Sequence, residues 1–440
     1  MKRRDANDTA RKLGPEGVVK MVAGARKRDN ARETPKPWED GLAYTKSGSL
    51  AKTAGNVALF LLHHPAWTGT LAFNEMKQSP VWRLAPPKVH GLGVPKIGSA
   101  MEDTHFIAVQ QWLQVEHEVL FSREAVEMGA LAAAKERSFH PVRDYLDDLT
   151  WDGTPRLDRL LIDYAGAEDS DYVRAVTGKS FIAAVARVRQ PGAKVDTMLV
   201  LEGKQGLSKS EFFRVLASDD HFDDHLPDLR DKDALLHLSG LWIVEVAELD
   251  ALKGQENSRV KSFLSRRVDR YRPPYARHEV CVPRTCVFFG TTNGSEYLAD
   301  ATGGRRFWPV TITRMIDLPR VREMRDQLWA EADHRFAEGE EWHLDADLER
   351  DAAVEQDARF VDDPWKHTLE RELAGRESVV VDECWRLLGI ETNKQGRYDG
   401  KRLAAVLMRL GFARKRVSVP NSKKRPWLYV RNSEVGEDDF

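Results

Sequence analysis

The chain has 440 residues, of which 42% are hydrophobic and 31% are charged, and its formal net charge at pH 7 is −2. This length predicts two or three domains with separate cores. No stretch approaches the roughly 20 apolar residues of a membrane span. The three cysteines form neither a metal-ligand spacing nor a disulfide framework. We therefore expect a cytoplasmic protein that has no membrane partner.

The small net charge conceals two basic segments. Residues 1–36 contain eleven Lys or Arg and five acids, and residues 401–431 contain ten Lys or Arg and no acid. Such local blocks matter more for contact with nucleic acid than the charge of the whole chain. We interpret residues 1–40, which lack apolar periodicity, as a basic flexible arm.

Residues 41–190 predict a mostly helical N-terminal domain. Several segments carry apolar residues at spacings of three and four. Ser122, followed by Glu124 and a run rich in Ala and Leu, predicts a capped helix start.

Residues 191–345 alternate between strand and helix signals. The apolar segments "VDTMLVLEG", "GLWIVEVAEL", "RTCVFFGTTN" and "FWPVTI" predict strands that are buried on both faces. Because helical segments separate them, the pattern predicts a mainly parallel sheet in an α/β fold.

Residues 346–440 predict an acidic helical linker and then a DNA-binding module. The order after Pro364 is helix, helix, helix and a basic β-hairpin that turns near "VPNSKKRP". This order is typical of a winged helix, which is a variant of the helix-turn-helix.

The segment "LVLEGKQGLSKSEFF", residues 199–213, nearly matches a phosphate-binding loop. Such a loop wraps an anion with backbone N–H groups at a helix N-terminus, while a lysine reaches the phosphates and a hydroxyl binds Mg²⁺. The apolar strand before it and the helix after it supply the required context. The predicted nucleotide-binding residues are Gly203, Lys204, Gln205, Gly206, Leu207, Ser208, Lys209 and Ser210. The Ser210 hydroxyl is also predicted to bind Mg²⁺.

Ser208 occupies the position of the second fixed glycine in that pattern. Serine keeps the backbone N–H but adds a side chain and favours negative φ. The sequence leaves open whether nucleotide binding survives in weakened form or is largely lost.

Polar residues after the later strands add further candidates. Glu245 and Glu248 end an apolar strand, where an acid can hold Mg²⁺ or polarise the attacking water. Asn293 follows the next strand and could contact the γ-phosphate or that water. Arg305 and Arg306 lie in a Gly-rich turn and could stabilise a transferring phosphate, in cis or from a neighbouring subunit. For each of them an ordinary surface or turn residue is the alternative.

Two arginine- and lysine-rich segments are candidate DNA contacts. In "SRRVDRYRPPYARH" a subunit interface is the alternative, and in the C-terminal hairpin the alternative is a solvated surface. The predicted DNA-binding residues are Arg266, Arg267, Arg270 and Arg272 in the first region and Arg414, Lys415, Arg416, Lys423, Lys424 and Arg425 in the second.

Long motifs resemble the virulence-associated protein E family over about residues 140–335. They include "DLTWDGTPRLDRLL", "LWIVEVAELDAL", "VKSFLSRRVDRYRPPY" and "VFFGTTNGSEYLADATGGRRFWPV". The resemblance implies an AAA+-like P-loop NTPase core of helicase superfamily 3. It implies that Lys209 and Ser210 form the Walker A pair, that Glu245 and Glu248 supply the Walker B acids, and that Asn293 is the sensor. Arg305 and Arg306 would include an arginine finger that acts across a ring interface. Lys261 would lie in a DNA-facing element and is a further predicted DNA-binding residue.

The resemblance also implies a function. The chain would be a hexameric, ATP- and Mg²⁺-dependent DNA helicase or translocase that helps to replicate a phage, satellite or genomic island. Its partners would be single-stranded or origin duplex DNA and a primase or host replication factor. Because the family has glycine at position 208, two alternatives stay open. One is a catalytically weakened NTPase that acts as a DNA-binding replication or regulatory module, and the other is an ATP-gated defence or regulatory switch.

Overall fold

The computed structural model describes residues 38–89, 93–227, 234–249, 254–272, 279–295, 297–298, 304–360, 363–392, 395–416 and 427–431. The predicted arm, apart from residues 38–40, lies outside the described residues. The chain divides into two compact units, Met1–Pro141 and Val142–Phe440. Among the described helices, none has the length and apolar character needed to cross a membrane.

The first unit packs three helices against a small sheet with the strand order β2-β1-β3. Ser122 accepts a hydrogen bond from the backbone N–H of Ala125 at 3.1 Å, which confirms the predicted helix start. The helices are α1 (Ala54–His63), α2 (Asp103–His117) and α3 (Arg123–Lys135). The strands are β1 (Leu71–Asn74), β2 (Ser79–Trp82) and β3 (Ser138–Phe139).

A close approach of α1 and α3 organises the core of this unit. A Cβ atom added to Gly129 of α3 would lie 2.5 Å from Cβ of Val57 and 2.8 Å from the carbonyl oxygen of Ala54. Glycine is therefore required at this point, although it is a poor helix former.

The second unit contains a five-stranded sheet with the order β10-β4-β9-β6-β5, in which all four pairings are parallel. The prediction of an α/β fold with a parallel sheet is confirmed. The short β5 carries no alternating or apolar signal in the sequence and was not predicted. The strands are β4 (Met198–Glu202), β5 (Phe222–Asp223), β6 (Ile243–Val246), β9 (Val287–Thr292) and β10 (Phe307–Thr311).

Helices come before this sheet, between its strands and after it in the chain. They are α4 (Pro141–Asp147), α5 (Leu160–Ala165), α6 (Asp171–Arg189), α7 (Lys209–Ala217), α8 (Ala234–His237), α9 (Gly254–Leu264), α10 (Leu318–Ala337) and α11 (Ala346–Asp357).

The boundaries predicted near residues 190 and 345 differ from the division of the structure. The indole N–H of Trp242, just before β6, donates to the carbonyl oxygen of Ala184 in α6 at 3.1 Å. The Gln356 amide of α11 donates to the carbonyl oxygen of Phe307 in β10 at 2.9 Å. Both helices therefore pack with the sheet as part of the second unit.

An antiparallel strand pair, the β7–β8 hairpin, consists of β7 (Val268–Tyr271) and β8 (Val280–Pro283) in this unit. Its base is fixed by the buried ion pair between Arg284 and Asp269, whose closest atoms are 2.5 Å apart. The sequence predicts DNA contacts at the arginines of this segment but does not predict the hairpin.

The C-terminal part packs three helices against an antiparallel sheet with the order β11-β13-β12. Three helices followed by two strands agree with the predicted order of elements, and β11 adds a third strand. The helices are α12 (Pro364–Glu372), α13 (Val381–Leu387) and α14 (Arg397–Arg409), and the strands are β11 (Ser378–Val380), β12 (Phe412–Arg416) and β13 (Trp427–Arg431).

We expect Gly129→Ala to lower the free energy of unfolding by about 1–3 kcal/mol, because the added methyl overpacks the contact with α1. Helix propensity alone predicts the opposite sign, since alanine is favoured over glycine by about 1 kcal/mol. Chemical denaturation measures the difference, with Ala132→Gly at an exposed position of α3 as the control. A stabilised Gly129→Ala protein would contradict the close approach.

Candidate functional site

The glycine-rich loop, residues 203–208, joins β4 to α7 at the carboxyl edge of the parallel sheet. Ligands of open α/β sheets bind at this edge. Lys209 is the first residue of α7 and is 8% exposed. Its ammonium donates to the carbonyl oxygens of Gly203 at 2.6 Å and Lys204 at 3.0 Å, and to Oδ1 of Asn293 at 3.0 Å. The structure therefore brings the predicted lysine and the predicted sensor residue into contact.

A buried carboxylate contacts Ser210, the residue after this lysine. Glu245 of β6 is fully buried, and its Oε1 accepts a hydrogen bond from Ser210 Oγ at 2.8 Å and another from Thr291 Oγ1 at 2.6 Å. Three elements, α7, β6 and β9, thus meet at one oxygen atom. The sequence does not predict a role for Thr291, although this residue lies two residues before Asn293 at the end of β9.

The environment of Glu245 suits a cation. Burial raises the pKa of this carboxyl, and the hydrogen bonds from Thr291 and Ser210 oppose that shift in part. Its Oε2 is buried and has no hydrogen-bond partner among the described residues. A carboxylate oxygen and a serine hydroxyl are ligands that Mg²⁺ accepts beside a nucleotide. Ser210 and Glu245 therefore fit the predicted metal role.

Ser208 adopts a backbone conformation that favours glycine. Its φ is 64° and its ψ is 31°, in the left-handed region. For a residue with a Cβ this conformation costs roughly 1–2 kcal/mol. The loop thus keeps a glycine-like path at position 208 in spite of the serine.

Glu248 lies two residues beyond the end of β6. It is exposed, and its φ of 51° is also left-handed. Non-glycine residues in such strained positions cluster at active sites and ligand clamps. The two predicted acids therefore differ, since Glu245 is buried within the sheet and Glu248 follows it on the surface.

Arg305 and Arg306 lie at the opposite edge of the sheet. Phe307, which follows them, pairs with Met198 at the start of β4, whereas Thr311 pairs with Glu202 at its end. Five strand residues rising about 3.3 Å each separate the two edges by roughly 16 Å. The arginines therefore cannot reach the nucleotide loop of their own chain, and this geometry excludes a role in cis.

The predicted DNA-binding residues near the hairpin differ in their exposure to solvent. Arg266, Arg267, Arg270 and Arg272 are exposed. Lys261 is 6% exposed, and its ammonium lies 5.7 Å from the centroid of the Phe307 ring. Contrary to the prediction, Lys261 presents no charge to solvent, because α9 packs it beneath the start of β10.

The C-terminal candidates are described only in part. Arg414 and Lys415 are exposed on β12. Arg416 ends that strand, and nothing is described of its side chain. Lys423, Lys424 and Arg425 lie outside the described residues.

Residues 146–361 match the virulence-associated protein E-like domain. We call residues 146–361 the VapE-like domain. The family resemblance predicted from the sequence is thereby confirmed. The VapE-like domain contains the glycine-rich loop, Glu245, the β7–β8 hairpin and the turn with Arg305 and Arg306, which we call the arginine turn.

Solved structures show a more distant similarity to the chain. The C-terminal region of NrS-1 in an A-form apo structure is 12% identical, with a TM-score of 0.44 over 87% of this chain and 100% of that chain. A further apo structure of that region is 11% identical, with a TM-score of 0.44 over 86% of this chain and 99% of that chain. At these TM-scores the similarity defines neither the fold nor the activity. No curated protein matches the sequence.

The VapE-like domain should become more stable when Glu245 is replaced by glutamine. Burial raises the pKa of the Glu245 carboxyl above its ordinary value of 4.5 in the folded protein. The contribution of this group to folding stability is therefore fully present below pH 4.5 and is lost as pH rises through the raised pKa. We expect Glu245→Gln to raise the free energy of unfolding at pH 7–8 by about 1–3 kcal/mol in the absence of nucleotide and metal.

Thermal unfolding between pH 4 and pH 8 measures this effect. The gain should shrink as pH falls, since Glu245 itself then becomes neutral. Glu248→Gln, at the exposed acid of the same edge, is the matched control and should change little. A Glu245→Gln protein that is less stable at pH 8 would contradict the assigned burial cost.

Proposed function

We propose that the VapE-like domain binds and hydrolyses ATP with Mg²⁺. The observation that carries the proposal is the meeting of Lys209, Ser210, Glu245 and Asn293 at the carboxyl edge of the sheet. This arrangement supports an AAA+-like P-loop core of the superfamily 3 helicase type.

Each residue has a chemical role in this proposal. Lys209 donates to the terminal phosphates in place of its present carbonyl partners, while the N-terminus of α7 directs its dipole at them. Ser210 and Glu245 would hold Mg²⁺, which neutralises the charge that develops on the phosphates. Glu248 accepts a proton from the attacking water, and Asn293 orients that water or the γ-phosphate.

Arg305 and Arg306 act on the nucleotide of a neighbouring subunit. The distance between the two sheet edges supports this role, because the arginines and the glycine-rich loop of one chain are too far apart to contact the same nucleotide. Arg305 is exposed, and Arg306 donates to Ser265 Oγ at 3.1 Å. An open cleft of about 240 Å³ beside them, also lined by Lys194 and Trp308, gives the neighbour room to approach. This assembly would be a closed ring, which we take to be a hexamer.

The partner of the assembled ring is DNA, as a single strand or an origin duplex. The exposed arginines near the β7–β8 hairpin and the basic C-terminal strands would contact its phosphates. The arrangement of α12–α14 with β11–β13 supports the winged-helix module. We infer a DNA helicase or translocase in the replication of a phage, satellite or genomic island, working with a primase or host replication factor.

A second candidate function rests on Ser208. If its left-handed backbone opposes the transition state, the chain is a weakened NTPase that acts as a DNA-binding replication or regulatory module. The strain at position 208 is the observation that favours this candidate.

ATP hydrolysis with and without single-stranded DNA tests the first function, and Ser208→Gly separates it from the second. We expect DNA to stimulate hydrolysis if the first function is right. If the second is right and the strain of about 1–2 kcal/mol at position 208 falls on the transition state, Ser208→Gly should raise kcat/KM for ATP by roughly tenfold. Native-level kcat/KM in Ser208→Gly would show that serine fits the loop. Absence of hydrolysis in both proteins would contradict the proposed activity.

Arg305→Ala and Arg306→Ala should each lower kcat at least about tenfold while ATP affinity stays within about twofold, because the lost charge acts on the transition state. Mixed rings with Lys209→Ala subunits should regain part of the activity, since each subunit supplies what the other lacks. Mixing with a Lys209→Ala, Arg305→Ala, Arg306→Ala subunit is the control and should restore nothing. Equal activity in the two mixtures would contradict action between subunits.

A further inference from the structure

Glu202, the last residue of β4, is a buried acid for which the proposed chemistry has no use. It is 4% exposed and directly precedes Gly203. Its Oε1 accepts from the Tyr297 hydroxyl at 2.8 Å, and its Oε2 accepts from Thr311 Oγ1 at 2.8 Å. Burial, and after it the nearby Glu202 charge, raises the pKa of Tyr297, so this hydroxyl stays protonated and remains a donor.

Arg359, two residues beyond the end of α11, completes this cluster. Its Nε donates to both oxygens of Glu202 at 3.0 and 3.1 Å, and its Nη2 donates to Oε2 at 2.9 Å. Its carbonyl oxygen accepts from the backbone N–H groups of Tyr297 and Leu298, each at 3.1 Å. One residue thus contacts the end of β4 through its side chain and the segment after β9 through its backbone.

These two segments carry the groups that meet at Lys209. Gly203 follows Glu202, and Asn293 lies four residues before Tyr297. The backbone N–H of Gly203 also donates to the carbonyl oxygen of Thr292 at 3.3 Å. A shift of Glu202 relative to Tyr297 would therefore change the separation of Gly203 and Asn293, both of which Lys209 contacts.

We propose that Arg359 is a positioning residue that, through Glu202 and the 297–298 segment, sets the distance between the glycine-rich loop and Asn293. This inference rests on the proposed nucleotide site. A guanidinium suits the task because its planar array of donors holds a carboxylate in one orientation, which an ammonium does not do. Since Glu202 is buried and the Arg359 side chain is only 14% exposed, we expect this geometry to persist when the loop exchanges carbonyl contacts for phosphates.

Two variants distinguish a positioning role of Arg359 from a role limited to neutralising the Glu202 charge. Arg359→Met alone leaves the Glu202 charge buried and should lower Tm by roughly 10 °C. The combined variant Glu202→Gln, Arg359→Met removes both charges and should recover most of that Tm. We expect its kcat for ATP to stay about ten- to a hundredfold below native, because the loop and Asn293 are no longer held in register.

Arg359→Lys keeps the charge and offers a second variant if the neutral pair folds poorly. It should retain nearly native Tm and still lose kcat by about tenfold, with a smaller change in the Kd of a fluorescent ATP analogue. The matched control is Arg189→Met with Asp333→Asn, which removes an ion pair of 2.7 Å between α6 and α10. Its kcat and Kd should stay native.

Three results would be decisive. Native kcat in the neutral pair with recovered Tm, or native kcat in Arg359→Lys, would overturn the positioning role while leaving the nucleotide site intact. A native protein that binds no nucleotide would overturn the proposed function and this inference with it. Low kcat in both variants beside a native control would support Arg359.

Discussion

The Glu245 carboxylate is the constraint on which the candidate site depends. One of its oxygens holds Ser210 at the start of α7 and Thr291 at the end of β9, so three neighbouring elements are tied to a single atom. The other oxygen is buried without a partner. Leaving a buried acceptor unpaired opposes folding, and carboxylates whose pKa is perturbed by burial are enriched at functional sites. Binding of a cation would satisfy that oxygen.

The parallel sheet gives the molecule two chemically different edges. Its carboxyl edge gathers the lysine, the hydroxyls and the buried acid, and its amino edge carries the exposed arginine turn. One strand length separates them, so the functions proposed for the two edges can meet only between chains. The same fold that forms the site thus makes assembly part of the proposed mechanism.

The sequence predicted the parts of this site that depend on local patterns. Four of the five sheet strands were predicted, because long apolar runs ending in polar residues mark buried parallel strands. The contacts of Lys209 with Asn293 and of Ser210 with Glu245 bring together residues that the sequence assigns to one candidate site. Thr291, Glu202 and Arg359 were missed, since their roles depend on contacts between residues far apart in sequence. The burial of Lys261 was missed for the same reason: no local pattern shows that α9 packs it beneath Phe307.

The central claim, that the carboxyl-edge cluster is a nucleotide site, is tested most directly by equilibrium binding of ATP and Mg²⁺ to the full chain and to Lys209→Ala. We expect saturable binding by the native protein that requires Mg²⁺ for full affinity. We expect at least a hundredfold weaker binding by Lys209→Ala, roughly 3 kcal/mol, with an unchanged circular dichroism spectrum. Equal affinity of the two proteins would contradict the account.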